Sequence, residues 1–485
     1  MARARPTTIR TAAAGYVRPR RTGLVALAVP SLNFPLASMS DTFAFTRPFQ
    51  MRGLNSDQVL ILVDGKRWHS SALMLTLGQV GQGSQGVNIG TIPIGAIERI
   101  EVLRDGASAQ YGSDALAGVI NIILKKGAEG GQVVGSYGKY SAGDGDRSRI
   151  QGDIGFPLGA NGWLRVSAEL ADQEPTNRAG LDNRPGFTEL GKKFQVGIPN
   201  SYSYNTFFNW GYDFTPNVSL YGSAHYGRLV AEPMAFYRYG ANAPEPKNDL
   251  MQYIFPDGNG FQPVEHGDSR DKSFFVGVRG DTDSGWSWDV SATWGANRVS
   301  YGTFNTINFA FWNDFGYSPT DIHDGTLTSS QATFGVDLAK SLGDNWHLGF
   351  GAQYLRQRYQ IVEGDVASWY VGNSGITGGA QGFAGWGPQD ASDNSRHSIA
   401  EYVQLEGNIK FGLDPNNLTD YSGEVSALTV VKELETTEMY LSLFYGVIEP
   451  EEGRIVYANE SIEVRAEQVD FLGPFEVAEE DQALF

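Results

Sequence analysis

From residue 131 onward the chain keeps returning to one pattern. Segments of roughly ten residues alternate polar or small side chains with apolar or aromatic ones, at 131–140, 161–172, 203–213, 217–228, 272–280, 286–298, 332–340, 345–358 and 398–410. A spacing of two puts the two kinds of side chain on opposite faces of an extended strand. Such a strand needs an apolar neighbour on one side and a polar one on the other. Short turns such as Pro216-Asn217 and Gly343-Asp344 alternate with long Gly-, Asp- and Asn-rich loops, above all 229–270 and 359–397. Strands of this length with short turns at one end and long loops at the other are the signature of an outer-membrane β-barrel. Trp and Tyr gather near segment ends, where a membrane barrel carries its aromatic girdles. A soluble all-β sandwich or propeller is the competing reading, and the long loops and many aromatics favour the barrel.

Composition narrows the classes further. The 485 residues include 60 Gly and no Cys, which excludes disulfides, zinc fingers and Cys-ligated iron–sulfur clusters. No apolar run is long enough for a transmembrane helix. A net charge of −18 argues against nucleic-acid binding, and 41% hydrophobic with 19% charged residues argues against wholesale disorder. The charge is unevenly placed. Residues 1–40 hold six Arg and no acid, whereas 420–485 hold 16 acids against three bases and only four of the Gly. These shifts divide the chain into a basic segment 1–30, a compact unit 31–126, a barrel part 127–411 and an acidic tail 412–485. The basic segment is expected to be disordered or an atypical secretory signal, since the apolar stretch Leu24 to Val29 is at the short end for one.

Residues 47–126 read as a small α/β unit. Gln58 to Asp64 is an apolar strand that closes on an Asp64-Gly65 turn. Ile97 to Leu103 alternates apolar and charged residues and closes on Arg104-Asp105-Gly106. Ser108 to Leu116 reads as a short helix or turn, and Val119 to Leu124 as a third strand ended by Lys125-Lys126. Gly53, Gly65, Gly106, Gly112 and Gly118 suit tight turns or close backbone approach. Arg52, Glu98, Arg99, Glu101 and Arg104 mix both signs of charge; inside a barrel lumen such groups can pair with charges of the wall and hold register.

The ordered set Arg52-Gly53-Leu54, then Val59 to Gly65, then Ile92 to Arg104, then Asp105-Gly106 leading to Tyr111-Gly112, then Gly118 to Ile122 with Asn121 inside it, closely resembles the plug domain of TonB-dependent outer-membrane receptors. The resemblance covers about residues 30–411. It implies a plug domain followed by part of a transmembrane antiparallel β-barrel, in the outer membrane of a Gram-negative bacterium. It implies energy-coupled uptake of a scarce nutrient such as a ferric siderophore, with the ligand bound outside, between plug and loops. The partners implied are outer-membrane lipid, a small nutrient ligand, and the TonB-ExbB-ExbD complex, which engages a short N-terminal strand by β-augmentation. The family is not enzymatic and needs no cofactor, and the plug-motif residues named above are structural in it. Three departures stand out. No energy-coupling box is readable in 1–46, the first half of the plug is not recognisable, and about ten barrel strands precede residue 412 where the family has about 22. An open barrel exposes strand edges to lipid. The expectation is therefore a fragment or a fused reading frame that does not transport alone, with a non-transporting β binding protein as a further alternative.

The tail carries a second, faint resemblance. Asp420-Tyr421-Ser422-Gly423 and the stretch 439–461 are similar to bacterial metal-dependent serine/threonine phosphatases of the stress-regulator type, in which Asp420 would match a metal-binding carboxylate. The two pieces are too close together, and holding Mg²⁺ or Mn²⁺ normally takes at least a second carboxylate. The tail is otherwise read as acidic, α/β-like or disordered. A closing barrel strand ending at Phe485 is a third possibility, opposed by the acidic run 476–481. Elsewhere, Gly81-Gln82-Gly83-Ser84-Gln85-Gly86 matches a dinucleotide glycine pattern without the strand–helix context that a real one needs. His69, His225, His266, His323, His347 and His397 have no metal-ligand spacing, and Asp257, Asn259, Asp281 and Asp283 suit turns better than a calcium loop.

Overall fold

A computed structural model of the chain describes residues 7–10, 32–33, 50–74, 83–103, 111–181, 195–239, 260–343, 346–373, 375–407, 423–433, 439–448 and 455–462. Leu24 to Val29, Arg104, Asp105, Gly106, Gly81, Asp257, Asn259, Asp420, the run 476–481 and Phe485 lie outside these residues.

The plug is built from β1 (Thr7–Arg10), β2 (Leu32–Asn33), β3 (Gln50–Met51), β4 (Val59–Val63), β5 (Lys66–Arg67), β6 (Ile97–Leu103) and β7 (Gly118–Leu124). β2 and β3 form a small ribbon. The others make one sheet in the order β1-β6-β7-β4-β5, antiparallel except where β4 runs parallel to β7. β1 lies within the basic N-terminal segment and pairs Thr7 with Val102 and Arg10 with Arg99 at the sheet edge. β4 is an unbroken apolar run because both its faces are covered. Val59, Ile61 and Val63 join the main core with Ile100, Val102, Ile120 and Ile122, while Leu60 and Leu62 pack on Ala115 and Val119. Each aliphatic side chain fully buried this way contributes roughly 1.5–3 kcal/mol. The described helical turns of the plug, Ser56–Gln58, Ile94–Ala96 and Ser113–Ala115, are short 3-10 turns between strands.

The second sheet is antiparallel and runs strand by strand along the sequence. Its members are β8 (Gly131–Gly138), β9 (Arg147–Leu158), β10 (Gly162–Gln173), β11 (Asn200–Thr215) and β12 (Val218–Glu232). A ribbon of β13 (Arg238–Tyr239) and β14 (Gly260–Phe261) interrupts the order. Then come β15 (Val264–Asp281), β16 (Trp286–Phe304), β17 (Ile322–Leu342), β18 (Trp346–Glu363) and β19 (Ser392–Gly407). The backbone of the acidic tail contributes strands as well: β20 (Gly423–Glu433), β21 (Met439–Ile448) and β22 (Ile455–Ile462) continue the same sheet from β19. Short connections at 159–161, 216–217, 282–285 and 343–345 alternate with long ones at 139–146, 174–199, 233–263, 305–321 and 364–391. The last two carry α1 (Phe309–Phe315) and α2 (Val366–Trp369); Asn308 caps α1 by accepting from Phe311 N at 3.0 Å.

Register assigns the two faces. Ile154, Val166, Phe208, Ala224, Phe274, Trp294 and Ala332 stand opposite one another across seven strands, all pointing outward. One residue along each strand, Asp153, Ser167, Phe207, His225, Ser273, Gly295 and Gln331 form the neighbouring inward row. The outward row is apolar, with Ile154, Phe208, Phe274 and Trp294 exposed and Val166, Ala224 and Ala332 half-buried, and the inward row is polar or packed on the plug, which is the division a lipid-embedded barrel wall requires. The loops expected at 229–270 and 359–397 are shorter than the sequence suggested. β12, β15, β18 and β19 extend into them through paired polar residues such as Arg228 with Asp268, and Arg358 with Asp393.

Candidate functional site: the seat of the plug

Many of the plug-motif residues form one connected polar surface. Asp64 and Gly65 have φ of 49° and 80°, the left-handed pair that a tight hairpin between β4 and β5 demands. Gly65 N donates to Asn121 Oδ1 at 3.0 Å, and Asn121 Nδ2 donates to Glu101 Oε2 at 3.3 Å. Glu101 in turn accepts from Arg99 at 2.8 Å, and Arg99 also reaches Glu98 at 3.5 Å. The Asp64 carboxylate accepts from Leu124 N at 3.0 Å and faces Lys126 at 3.5 Å. Burial pushes its carboxyl above the ordinary value, while Lys126 and the Leu124 N–H act the other way. A raised folded value means that this group favours folding less as pH climbs above the usual carboxylate range.

Two glycines are held by their surroundings. Gly112 has φ of 95° and lies under the Arg67 guanidinium, which pairs with Asp114 and donates to Tyr111 O at 3.1 Å. Gly118, with φ of 143°, approaches the β6 backbone so closely that a Cβ would meet Leu103 O at 2.4 Å. Arg52 and Gly53 make a turn with φ of 57° and 75°, closed by Leu54 N donating to Met51 O at 2.9 Å; the Arg52 side chain is exposed.

The groups that bind plug to wall are mostly others. Asp271, on the inner face of β15, is 1% exposed and gathers three partners. His69 Nε2 lies 2.9 Å from its Oδ1, while Asn88 Nδ2 and Asn297 Nδ2 donate to its Oδ2 at 3.1 and 2.8 Å. Asn297 Oδ1 accepts from Ala72 N at 2.7 Å, so this wall amide also reads the plug backbone. Around this centre lie further seats. Lys66 pairs with Asp289 at 2.8 Å; Lys125 pairs at 2.5 Å with Asp153, which Arg165 of the wall also holds. Ile94 N donates to Glu169 Oε2 at 3.3 Å, and His225 of the wall sits 2.8 Å from Thr91 O. Trp68 and Phe207 stack between the two histidines. Wall glycines make the approach possible: a Cβ on Gly295 would lie 2.3 Å from the His69 ring, and one on Gly227 would lie 2.5 Å from Thr91.

The sequence-level expectation that Glu98, Arg99 and Glu101 pair with the wall differs from this arrangement, because their ion pairs described here lie within the plug sheet. The seat instead uses His69, Asn88, Lys66 and Lys125 against Asp271, Asp289 and Asp153. Two of the six histidines, His69 and His225, are buried at it. His266 lies 3.3 Å from Glu232, His347 3.0 Å from Ser341 Oγ, His323 3.2 Å from Ser300 Oγ, and His397 stacks on Tyr354. The described half of the glycine run packs on the plug, where Gln85 Nε2 donates to Ser71 O at 2.6 Å. Asp281 accepts from Ser287 beside the tight turn at 282–285. At the long-loop end, Ala72 and Leu73 of the plug meet Val299, Tyr301 and the loop residues Phe383 and Trp386.

Comparison with known proteins agrees with this architecture. The family model described as TonB-dependent Receptor Plug Domain matches residues 21–119. The ferrienterobactin receptor of Escherichia coli is 32% identical over 210 residues, covering 41% of this chain and 27% of that protein. A vitamin B12 transporter of Vibrio vulnificus is 48% identical over 73 residues, 15% of this chain and 10% of that protein. Among solved structures, the ferric enterobactin receptor PfeA of Pseudomonas aeruginosa superposes with a TM-score of 0.56 at 21% identity, covering 89% of this chain and 58% of that one. The siderophore receptor PirA of Acinetobacter baumannii gives 0.54 at 17% identity, with coverage of 87% and 55%. At these identities the superpositions show the fold, and the chain spans about a quarter of the first curated relative. The fold is that of a receptor plug with part of its barrel, and with its apolar outer face it locates the chain in the outer membrane of a Gram-negative bacterium.

Proposed function

We propose that the chain acts in energy-coupled uptake of a scarce nutrient of the ferric siderophore class, with the TonB-ExbB-ExbD complex as the energy source. The carrying observation is the chemistry of the seat. Beside the apolar contacts of Trp68, Ala72 and Leu73 with the wall, Asp271, Asp289 and Asp153 hold the plug through hydrogen bonds and ion pairs that water can replace when the plug moves. The plug-motif residues Arg52, Gly53, Asp64, Gly65, Glu98, Arg99, Glu101, Tyr111, Gly112, Gly118 and Asn121 then act as framework, keeping the plug rigid while its seat opens. The names of the similar receptors favour ferric enterobactin over other nutrients. The vitamin B12 match covers 15% of this chain and 10% of that transporter, too little of either to speak for the ligand.

The test is accumulation of iron in iron-starved cells that lack their own ferric enterobactin receptors and express this chain. Uptake of ferric enterobactin that vanishes when TonB is deleted supports the reading. Equal accumulation with and without TonB, or binding without any accumulation, would overturn it.

A further inference from the structure

At the long-loop end of the wall, Asp324 sits at a bulge where β17 carries one residue more than β16. It is 0% exposed. Its Oδ2 accepts from Thr303 Oγ1 at 2.6 Å, whereas its Oδ1 has no hydrogen-bond partner among the described residues. The charges that act on it are of its own sign. Glu265, also buried, stands opposite Thr303 on β15 and accepts from Tyr301 at 3.1 Å, and Asp365 accepts from His323 N at 3.0 Å. Arg238 faces Glu265 and donates to Gln381 Oε1 at 3.1 Å, and His323 Nε2 turns to Ser300 Oγ at 3.2 Å. No ion pair reaches Asp324 among the described residues. An ionised carboxylate buried without a partner costs far more than the neutral acid. Burial, reinforced by Glu265 and Asp365 and opposed by the Thr303 hydrogen bond, pushes the Asp324 carboxyl up to about 8.

The end of the loop 364–391 closes over this carboxylate. Trp386 N donates to Asp324 O at 2.9 Å, and Phe383 and Trp386 rest on Tyr301 with ring centres 4.6 and 6.0 Å away. A Cβ on Gly382 would lie 3.1 Å from Thr303 Cγ2, so the segment lies directly on the hydrogen-bond partner of Asp324. We propose that residues 379–387 form a lid whose closure takes up one proton from solvent at Asp324. Closed, the lid covers the neutral acid. Lifted, it lets water reach the carboxyl, which returns to its ordinary 3.8. The closed-state value is the raised one, so closure is fully favoured below the ordinary value and weakens as pH rises. Its equilibrium constant falls roughly tenfold per pH unit between about 4 and about 8, and levels off above that. The lid sits at the rim and not in the Asp271 seat, so this inference and the uptake reading stand or fall separately.

The experiment places spin labels on Ala384→Cys, exposed on the lid, and Ser395→Cys, exposed on β19; the chain has no cysteine of its own. Double electron–electron resonance on the full chain in lipid vesicles reads the closed and lifted distances from about pH 4 to about pH 9. A closed population that falls as pH rises, steepest below about 8, supports the proposal. Asp324→Asn keeps the shape and an oxygen for Thr303 but has no proton to lose, so its lid is expected to stay closed across the whole range. Glu265→Gln keeps an acceptor for Tyr301 and removes one opposing charge, so more of its lid is expected to remain closed at alkaline pH than in the parent, an effect that a damaged fold does not produce. A distance distribution independent of pH in the parent chain, opening on acidification, or an Asp324→Asn titration equal to that of the parent would each overturn it.

Discussion

At the scale of single residues, the glycines carry the sharpest constraints, and for different reasons. Gly65 is needed for its φ of 80° in a hairpin, and the Asp-Gly pair announces this in the sequence. Gly118 combines a φ of 143° with a neighbour that a Cβ would strike at 2.4 Å, the carbonyl of Leu103. That oxygen belongs to the adjacent strand and cannot swing aside as a flexible side chain would. Gly118→Ala is therefore expected to cost on the order of 1–3 kcal/mol, read as a lower urea midpoint for loss of protease protection in the plug. Gly53→Ala, where a Cβ meets nothing within 4 Å, is strained by its φ of 75° alone and should cost less. Equal midpoints for Gly118→Ala and the parent chain would refute the close approach. Gly295 and Gly227 belong to the same class, but their crowding comes from the plug and not from a neighbouring strand. Nothing in the local sequence marks them, because the crowding residues His69 and Thr91 are far away along the chain.

At the scale of elements, legibility followed the cleanness of the alternation. Strand β6 was readable to its ends because Ile97, Ile100 and Val102 are buried between charged neighbours. Strand β9 escaped notice, since Gly152, Gly155 and Pro157 blur its pattern; Gly155 leaves room for the Ala128 backbone, which a Cβ would meet at 2.6 Å. The long-loop halves of β15 and β17 were also hidden. Beyond the apolar band their outward residues are Asp268, Arg270, Thr328 and Ser330, so polar follows polar and the period of two vanishes although the ladder continues. The outward and inward faces nevertheless differ enough in environment to be separated by substitution. Phe334 is outward on β17 and 50% exposed, whereas Gln353 on β18 is inward. Phe334→Lys is expected to cost roughly 2–4 kcal/mol of folding stability in lipid vesicles, and Gln353→Lys close to nothing. Equal losses in urea titrations of the two variants would mean that the faces are assigned the wrong way round.

At the scale of the whole molecule, the plug and the sheet are coupled by hydrogen bonds, ion pairs and apolar contacts between residues far apart along the chain. The pairs that make the coupling are separated by 202 residues for His69 and Asp271 and by 225 for Ala72 and Asn297, so no local pattern could reveal them. What the sequence did show was charge on β6, and the structure keeps that charge within the plug sheet, beside Asn121 and the β4–β5 hairpin. The division has a physical basis. A rigid insert needs its own internal ties, while its seat must release. Asp271 is the point where release and retention meet, since a single carboxylate satisfies His69, Asn88 and Asn297 in a space closed to water. Asp271→Ala leaves all three without that acceptor, and removing one member of such a buried set costs on the order of 3 kcal/mol. The expected result is a chain whose sheet content is unchanged by circular dichroism but whose plug is cut by protease at a lower urea concentration. Asp271→Asn keeps an oxygen acceptor and should fall between the two. A plug as resistant in Asp271→Ala as in the parent chain would shift the anchoring to Lys125 with Asp153 and Lys66 with Asp289, the two other ion pairs across the seam among the described residues.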